Sequence, residues 1–314
     1  MTRPAHTPYD GSATPFTIGL KPFDPGKWIE LDGDLEPYLA EKDRLFETVP
    51  ERVFMARPDT VEAQREVLDA FVQYLPKHFP DHYRPAGNAM LVGESERRVV
   101  LDADDPAPLK TASLLVPEDF VLMRKCDDGW RLVAASLCFP SSWSLADKFD
   151  RPMQAIHEPV PDFGPGTRMA VMIARIFDNL KVGVPVERTN WSVQENAELH
   201  HPRTKTQRDR GAEANGGSFL AGQDARDAFL RVERQTLTRM AVSGDILFTI
   251  RIHLDPISVL ESHPNGAALA RSLAAQLAAL QPGQVDYKGL GASRERMMDY
   301  LLQLAERVPE ALDG

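Results

Sequence analysis

Residues 120–138 read FVLMRKCDDGWRLVAASLC. Two apolar runs, 120–126 and 130–138, flank Asp127-Asp128-Gly129. An Asp-Gly step between such runs is a strong signal for a hairpin, because glycine supplies the positive φ that a tight turn needs. A second hairpin is expected downstream. There, 229–237 leads through Ser243-Gly244-Asp245 into 246–254, where Ile246, Phe248, Ile250 and Ile252 alternate with other residues at the period of a strand. Shorter extended pieces are expected at 96–102 and 188–193.

Helical patterns surround these strands. Residues 34–48 and 60–77 have helical spacing, the second through Val61, Val67, Leu68, Phe71, Val72 and Leu75. Residues 166–180 place Met169, Met172, Ile173, Ile176, Phe177 and Leu180 on one helical face. Residues 267–280 and 293–308 are helical and rich in Ala and Leu. The run 200–222 is polar, with Arg203, Lys205, Arg208 and Arg210 close together, and reads as a long loop. Residues 1–26 hold five prolines and read as an extended arm. Antiparallel pairs flanked by helices predict an α+β fold, with one unit over 27–314 and helical extensions at both ends.

Bulk chemistry excludes several functions. With 36 Lys and Arg against 46 Asp and Glu, the chain carries a formal charge of −10. A phosphate backbone or an anionic membrane would repel it, so neither nucleic acid nor a membrane is expected as a partner. A cationic substrate would suit it. The first twenty residues lack the apolar core of a signal peptide, and no run approaches a membrane span. Cys126 and Cys138 are not spaced as a metal or dithiol pair. Two cysteines in 314 residues suit a reducing compartment, so a cytoplasmic location is expected. There is no GxGxxG or GxxxxGK[ST] cradle, no HExxH and no GxSxG. Oligomeric state is not legible.

The chemistry concentrates in residues 138–164, CFPSSWSLADKFDRPMQAIHEPVPDFG. Pro140 ends the preceding strand. Ser144 stands three residues before Asp147, the spacing of a helix cap, and the short helix it starts is expected to stop at Pro152. His157 then precedes Glu158-Pro159-Val160-Pro161, and the prolines stiffen the turn that holds it. Neutral imidazole is a common metal ligand and a standard proximal ligand of haem iron. Read from the residues alone, His157 is equally a structural or exposed histidine.

The run P-x-x-W-S-x-x-x-K-x-x-x-P-x-x-x-I-H-x-P-V-P resembles the hallmark of the haem-dependent oxidative N-demethylase family. LKPFDPGKWIELD near the N-terminus, ERTNW at 187–191, and LRVERQTLTRM at 230–240 followed by ILFTIR agree with it. Together these stretches span residues 18–254. The resemblance implies a PAS-like fold, a small antiparallel sheet with helices on one side. It implies haem b, with O2 as co-substrate and electrons from NADPH through a separate reductase. The implied reaction removes a methyl group from a small secondary amine such as dimethylamine, giving formaldehyde.

On this resemblance His157 is the proximal ligand. Arg188, Arg231 and Arg234 are candidates for the haem propionates. Asn190, Trp191 and Gln235 are candidate pocket residues, although Trp143 and Trp191 also read as core aromatics. Glu195, Glu198 and Glu233 could receive a protonated amine. Three alternatives stay open. Cys138 could ligate the iron as a thiolate. His200 and His201, near Glu195 and Glu198, could hold a non-haem metal. The chain could also be a non-catalytic haem sensor or carrier.

Overall fold

The computed structural model describes residues 3–141, 143–202, 224–291 and 293–308. The two expected hairpins form its centre. Strands β6 (Asp119–Cys126) and β7 (Gly129–Ser136) pair antiparallel across Asp127-Asp128, and Gly129 takes a φ of +113°, open to glycine but not to other residues. Strands β9 (Phe229–Arg239) and β10 (Ile246–Pro256) form the second hairpin, in continuous register over eleven residues each. β10 also pairs with β6, which joins the two hairpins into one sheet.

The remaining strands extend this sheet. β8 (Val186–Gln194) pairs with β9, and β1 (Lys21–Pro22) adds to β8 at one edge. At the other edge β2 (Phe54–Ala56) pairs with β7. The order is β1-β8-β9-β10-β6-β7-β2, with every printed pairing antiparallel. Strands β3 (Tyr83–Pro85), β4 (Ala89–Val92) and β5 (Arg97–Val100) form a separate three-stranded sheet. The fold is therefore α+β. β8 is longer than the short piece expected at 188–193. The small sheet goes beyond the single strand expected at 96–102.

Helices cover both faces of the main sheet, not one. On the first face α3 (Val61–His78) and α4 (Pro108–Ser113) pack Val67, Leu68, Phe71 and Leu109 against Phe120, Leu122, Ala134 and Leu247. α1 (Leu35–Thr48) and α2 (Pro50–Val53) precede them. The opposite face carries α5 (Leu145–Lys148), α6 (Met153–His157) and α7 (Arg168–Asn179), whose Leu145, Met153 and Phe177 meet Val121, Leu132, Leu237 and Ile250. At the C-terminal end, α8 (Val259–Ser262) and α9 (Gly266–Ala279) are followed by α10 (Pro282–Tyr287) and α11 (Ser293–Arg307). Leu269, Leu273, Leu277 and Leu301 from this group form a third cluster with Trp191 and Val232.

The arm is not free. Tyr9 is fully buried in the third cluster, and Lys21–Pro22 is a sheet edge. On α7 the expected apolar face is only partly inward: Phe177 is buried, whereas Met172 is exposed. Most of the polar run 200–222 lies outside the described residues, including Arg203, Lys205, Arg208 and Arg210.

Candidate functional site

Ser144 caps α5 as its spacing predicts, accepting from the Asp147 N–H at 3.3 Å. Pro152, expected to stop a helix, instead starts one. It stands at the N-cap of α6, where its missing N–H leaves no bond unmade. His157 is therefore the last residue of a short helix and not part of a turn. The prolines after it end that helix.

This places His157 against the sheet. It lines a cavity with Met153, Ile156, Val160 and Phe163 from its own segment and with Val121, Leu132, Leu237, Phe248 and Ile250 from the strands. The Met153 backbone, one helical turn back, faces the His157 ring as a hydrogen-bond partner that favours its protonated form. Burial, then the positive charges of Lys148 and Arg188, push its pKa down to about 4, against the opposing pull of the Met153 bond. At neutral pH it is an uncharged imidazole.

Strands β8 and β9 supply the polar part of the wall. Cross-strand partners share a face, and the register pairs Arg188 with Gln235, Asn190 with Glu233 and Ser192 with Arg231. Arg188, Asn190, Ser192, Glu233 and Gln235 all line the cavity. The Arg188 guanidinium makes no hydrogen bond or ion pair to another described residue, and burial lowers its pKa while Glu233 opposes that shift. Glu233 accepts from Gln235 Nε2 at 2.9 Å and from Arg231 Nε at 3.3 Å.

Two lysines escaped the sequence reading. Lys288, just beyond α10, lines the cavity and donates to the Trp191 carbonyl at 2.6 Å. Its ammonium lies 4.6 Å from the Trp191 ring centroid and 5.3 Å from that of Phe16. Burial, then Arg188, push its pKa down to about 8, with Glu233 resisting. Lys148, from α5, lines the cavity too, its Nζ 4.1 Å from the Trp143 ring centroid. Trp143 thus lines the cavity while also packing, partly buried, against the core of that face. Lys148 is the lysine of the W-S-x-x-x-K run, which by itself assigns it no role, whereas Lys288 lies in no such motif and joins the site only in three dimensions.

Other candidates lie elsewhere. Arg231 is 0% exposed behind Glu233; its Nη2 donates to the Phe139 carbonyl at 2.5 Å, and its Nη1 is buried without a partner. Arg234 projects from the opposite face of β9, pairs with Glu187 at 2.7 Å and donates to the carbonyls of Lys27 and Trp28. Trp191 sits in the third core cluster, with Nε1 donating to Gln276 at 2.9 Å.

Cys138 is 0% exposed, in the core between sheet and helices, and is not among the cavity-lining residues. Burial, then the nearby Asp119 carboxylate, push its thiol far above the ordinary range. Such a group resists becoming a thiolate. His200 Nδ1 bonds the Cys138 carbonyl at 2.7 Å, while His201 lies 3.6 Å from Glu195. Among the described residues these two histidines join no group of three potential metal ligands.

Among the described residues the charged side chains lining the cavity are Lys148, Arg188 and Lys288 against Glu233, and His157 is neutral. Apolar walls, a neutral imidazole and surplus positive charge fit a flat, apolar, metal-bearing group with anionic edges. Haem with its two propionates has these properties. His157 would hold the iron, and Arg188 and Lys288 would meet the carboxylates.

Fold and cavity together define a mixed α+β protein with a largely apolar, positively charged cavity beside its main sheet. The model of the family described as haem-dependent oxidative N-demethylase, alpha subunit-like, matches residues 19–298, and the chain belongs to that enzyme family. The match spans both hairpins, His157 and most of the C-terminal helices. The family's description as an alpha subunit implies companion subunits. Among the described residues, no helix is long and apolar enough to cross a membrane.

Proposed function

We propose that this chain binds haem b through His157 and demethylates a small secondary amine of the dimethylamine class. The reaction would use O2, with electrons from NADPH delivered by a separate reductase. One observation carries the reading: a neutral, tethered histidine lines an apolar cavity whose charged residues are three cations and one carboxylate. Bound there, haem supplies oxygen activation and oxidation of a C–H bond next to nitrogen, so that the methyl group leaves as formaldehyde.

The chain's own residues do the positioning. The Met153 backbone faces the His157 ring as a hydrogen-bond partner. Arg188 and Lys288 orient the cofactor by its carboxylates. Glu233 is the one carboxylate that lines the cavity among the described residues, so it would receive the substrate ammonium. Leu237, Phe248 and Ile250 keep the reacting methyl group among apolar atoms. We read the sheet as PAS-like; the antiparallel arrangement of β6 to β10 supports this, with α5 to α7 inserted between the two hairpin regions. The free thiols of Cys126 and Cys138 support a cytoplasmic location.

The test is turnover. Haem-loaded protein is supplied with a reductase, NADPH, O2 and dimethylamine, and formaldehyde is measured. Formaldehyde that depends on both O2 and the amine is expected. No formaldehyde across a panel of methylated amines, with the haem shown to be reduced, would overturn the reading.

A further inference from the structure

A second constellation lies on the face of β10 turned away from His157. It joins three separate segments: His6 from the arm, Glu30 from the stretch before α1, and His253 from β10. One ligand atom from each lies within 4.8 Å of the other two. His6 Nε2 is 3.0 Å and His253 Nε2 is 3.1 Å from the same oxygen, Glu30 Oε2. Ligand atoms on a tetrahedral zinc ion are separated by roughly 3.3 Å, as its bond lengths near 2.0–2.1 Å require. Both imidazole nitrogens are therefore near coordinating separation from the carboxylate oxygen, and the two nitrogens lie within 4.8 Å of each other.

The surroundings resemble the outer shell of a metal site. Glu30 Oε1, the other oxygen, lies 2.9 Å from His6 Nε2 and 3.4 Å from Arg234 Nε, so a guanidinium helps to orient the carboxylate. The Glu30 backbone N–H donates to Glu118 Oε1 at 3.1 Å, which fixes the start of the ligand. His253 Nδ1 lies 3.8 Å from Asp32 Oδ2, beyond hydrogen-bond reach, so that carboxylate adds negative charge beside the group. His253 is buried, whereas His6 and Glu30 are partly exposed, which gives an ion a route from solvent.

We propose that His6, Glu30 and His253 form a binding site for a divalent transition metal of the zinc class, with its fourth position left to solvent. The ion is distinct from the haem iron, and the inference does not depend on the haem reading. Its mechanical effect is to pin the arm. Phe16, Ile18 and Leu20 of that arm line the haem cavity, and the arm is already anchored by Tyr9 and by the pairing of Lys21–Pro22 with β8. A metal at His6 would fasten its far end.

The experiment titrates Zn2+ into tag-free, haem-loaded protein by calorimetry in the presence of a chelator of known affinity, with His6→Ala and Glu30→Gln in parallel. One stoichiometric equivalent is expected in the wild type, and at least tenfold weaker binding in His6→Ala. X-ray absorption at the zinc edge should show two imidazoles and a carboxylate. The far-UV circular dichroism spectrum and urea midpoint of metal-free His6→Ala serve as the check on folding, independent of the haem. Absence of a stoichiometric site in the wild type, or a His6→Ala protein that binds Zn2+ as tightly with an intact spectrum, would overturn the proposal.

Discussion

Arg188 and Arg234 stand on paired strands, β8 and β9, in two sequence motifs of similar weight, yet they face opposite ways. Arg234 is 3% exposed and surrounded by acceptors: Glu187, Glu30 and the carbonyls of Lys27 and Trp28. Arg188 lines the cavity and has no hydrogen bond or ion pair to another described residue. A buried cation whose donors are satisfied belongs to the architecture, whereas one without partners is held ready for an anion. The alternation of a strand makes the difference, since neighbouring positions point to opposite faces.

The sharpest way to break this comparison is to exchange the roles. Arg234→Ala leaves Glu187 and two carbonyls without their donor, so unfolding stability should fall by about 3–5 kcal/mol, the range for breaking one side of a buried pair. Urea denaturation measures it. Arg188→Ala should leave stability nearly unchanged or slightly improved. Its haem affinity should fall roughly 10- to 100-fold, as loss of a charge-assisted bond of about 1.5–3 kcal/mol implies. Haem transfer to an acceptor globin measures that. If both variants lose stability equally, the distinction fails.

Lys288 sharpens the same contrast through pH. Its pKa in the haem-free protein is pushed down to about 8. The ammonium is present below that value and lost above it, and a bound carboxylate favours the charged form. Haem affinity should therefore fall as pH rises through about 8, and Lys288→Gln should lack this component. The same shift acts on folding. Between about 8 and the ordinary lysine value, the unfolded chain binds more protons, so the contribution of Lys288 to haem-free stability rises with pH in that window. The smallest effect is expected at Cys138. Cys138→Ala should lower stability by about 1 kcal/mol and leave the ferrous–carbonyl spectrum unchanged.

The α+β class was legible because both hairpins carry alternation or an Asp-Gly turn, and the long helices carry their period. The edge strands were not: β2 is three residues long and β1 two, too short for any periodic signal. Pro152 misled because proline both ends helices and begins them, and only the chain after it decides which. His157 was legible as a candidate, through resemblance more than spacing. Lys148 stands in the same motif without a role that the motif alone assigns, and Lys288 and the His6–Glu30–His253 group were not legible, since they are assembled from segments that meet only on folding. Arg234 and Trp191 were drawn into the candidate set because motif membership does not say which face of a strand a residue occupies.

The central claim is that His157 holds the haem iron, and the most direct measurement is the axial-ligand spectrum of haem-loaded His157→Gly with and without added imidazole. The account predicts that the histidine signature of the wild type is lost in the variant and restored when imidazole fills the space left by the side chain. A His157→Gly protein whose spectrum matches the wild type without imidazole would contradict it.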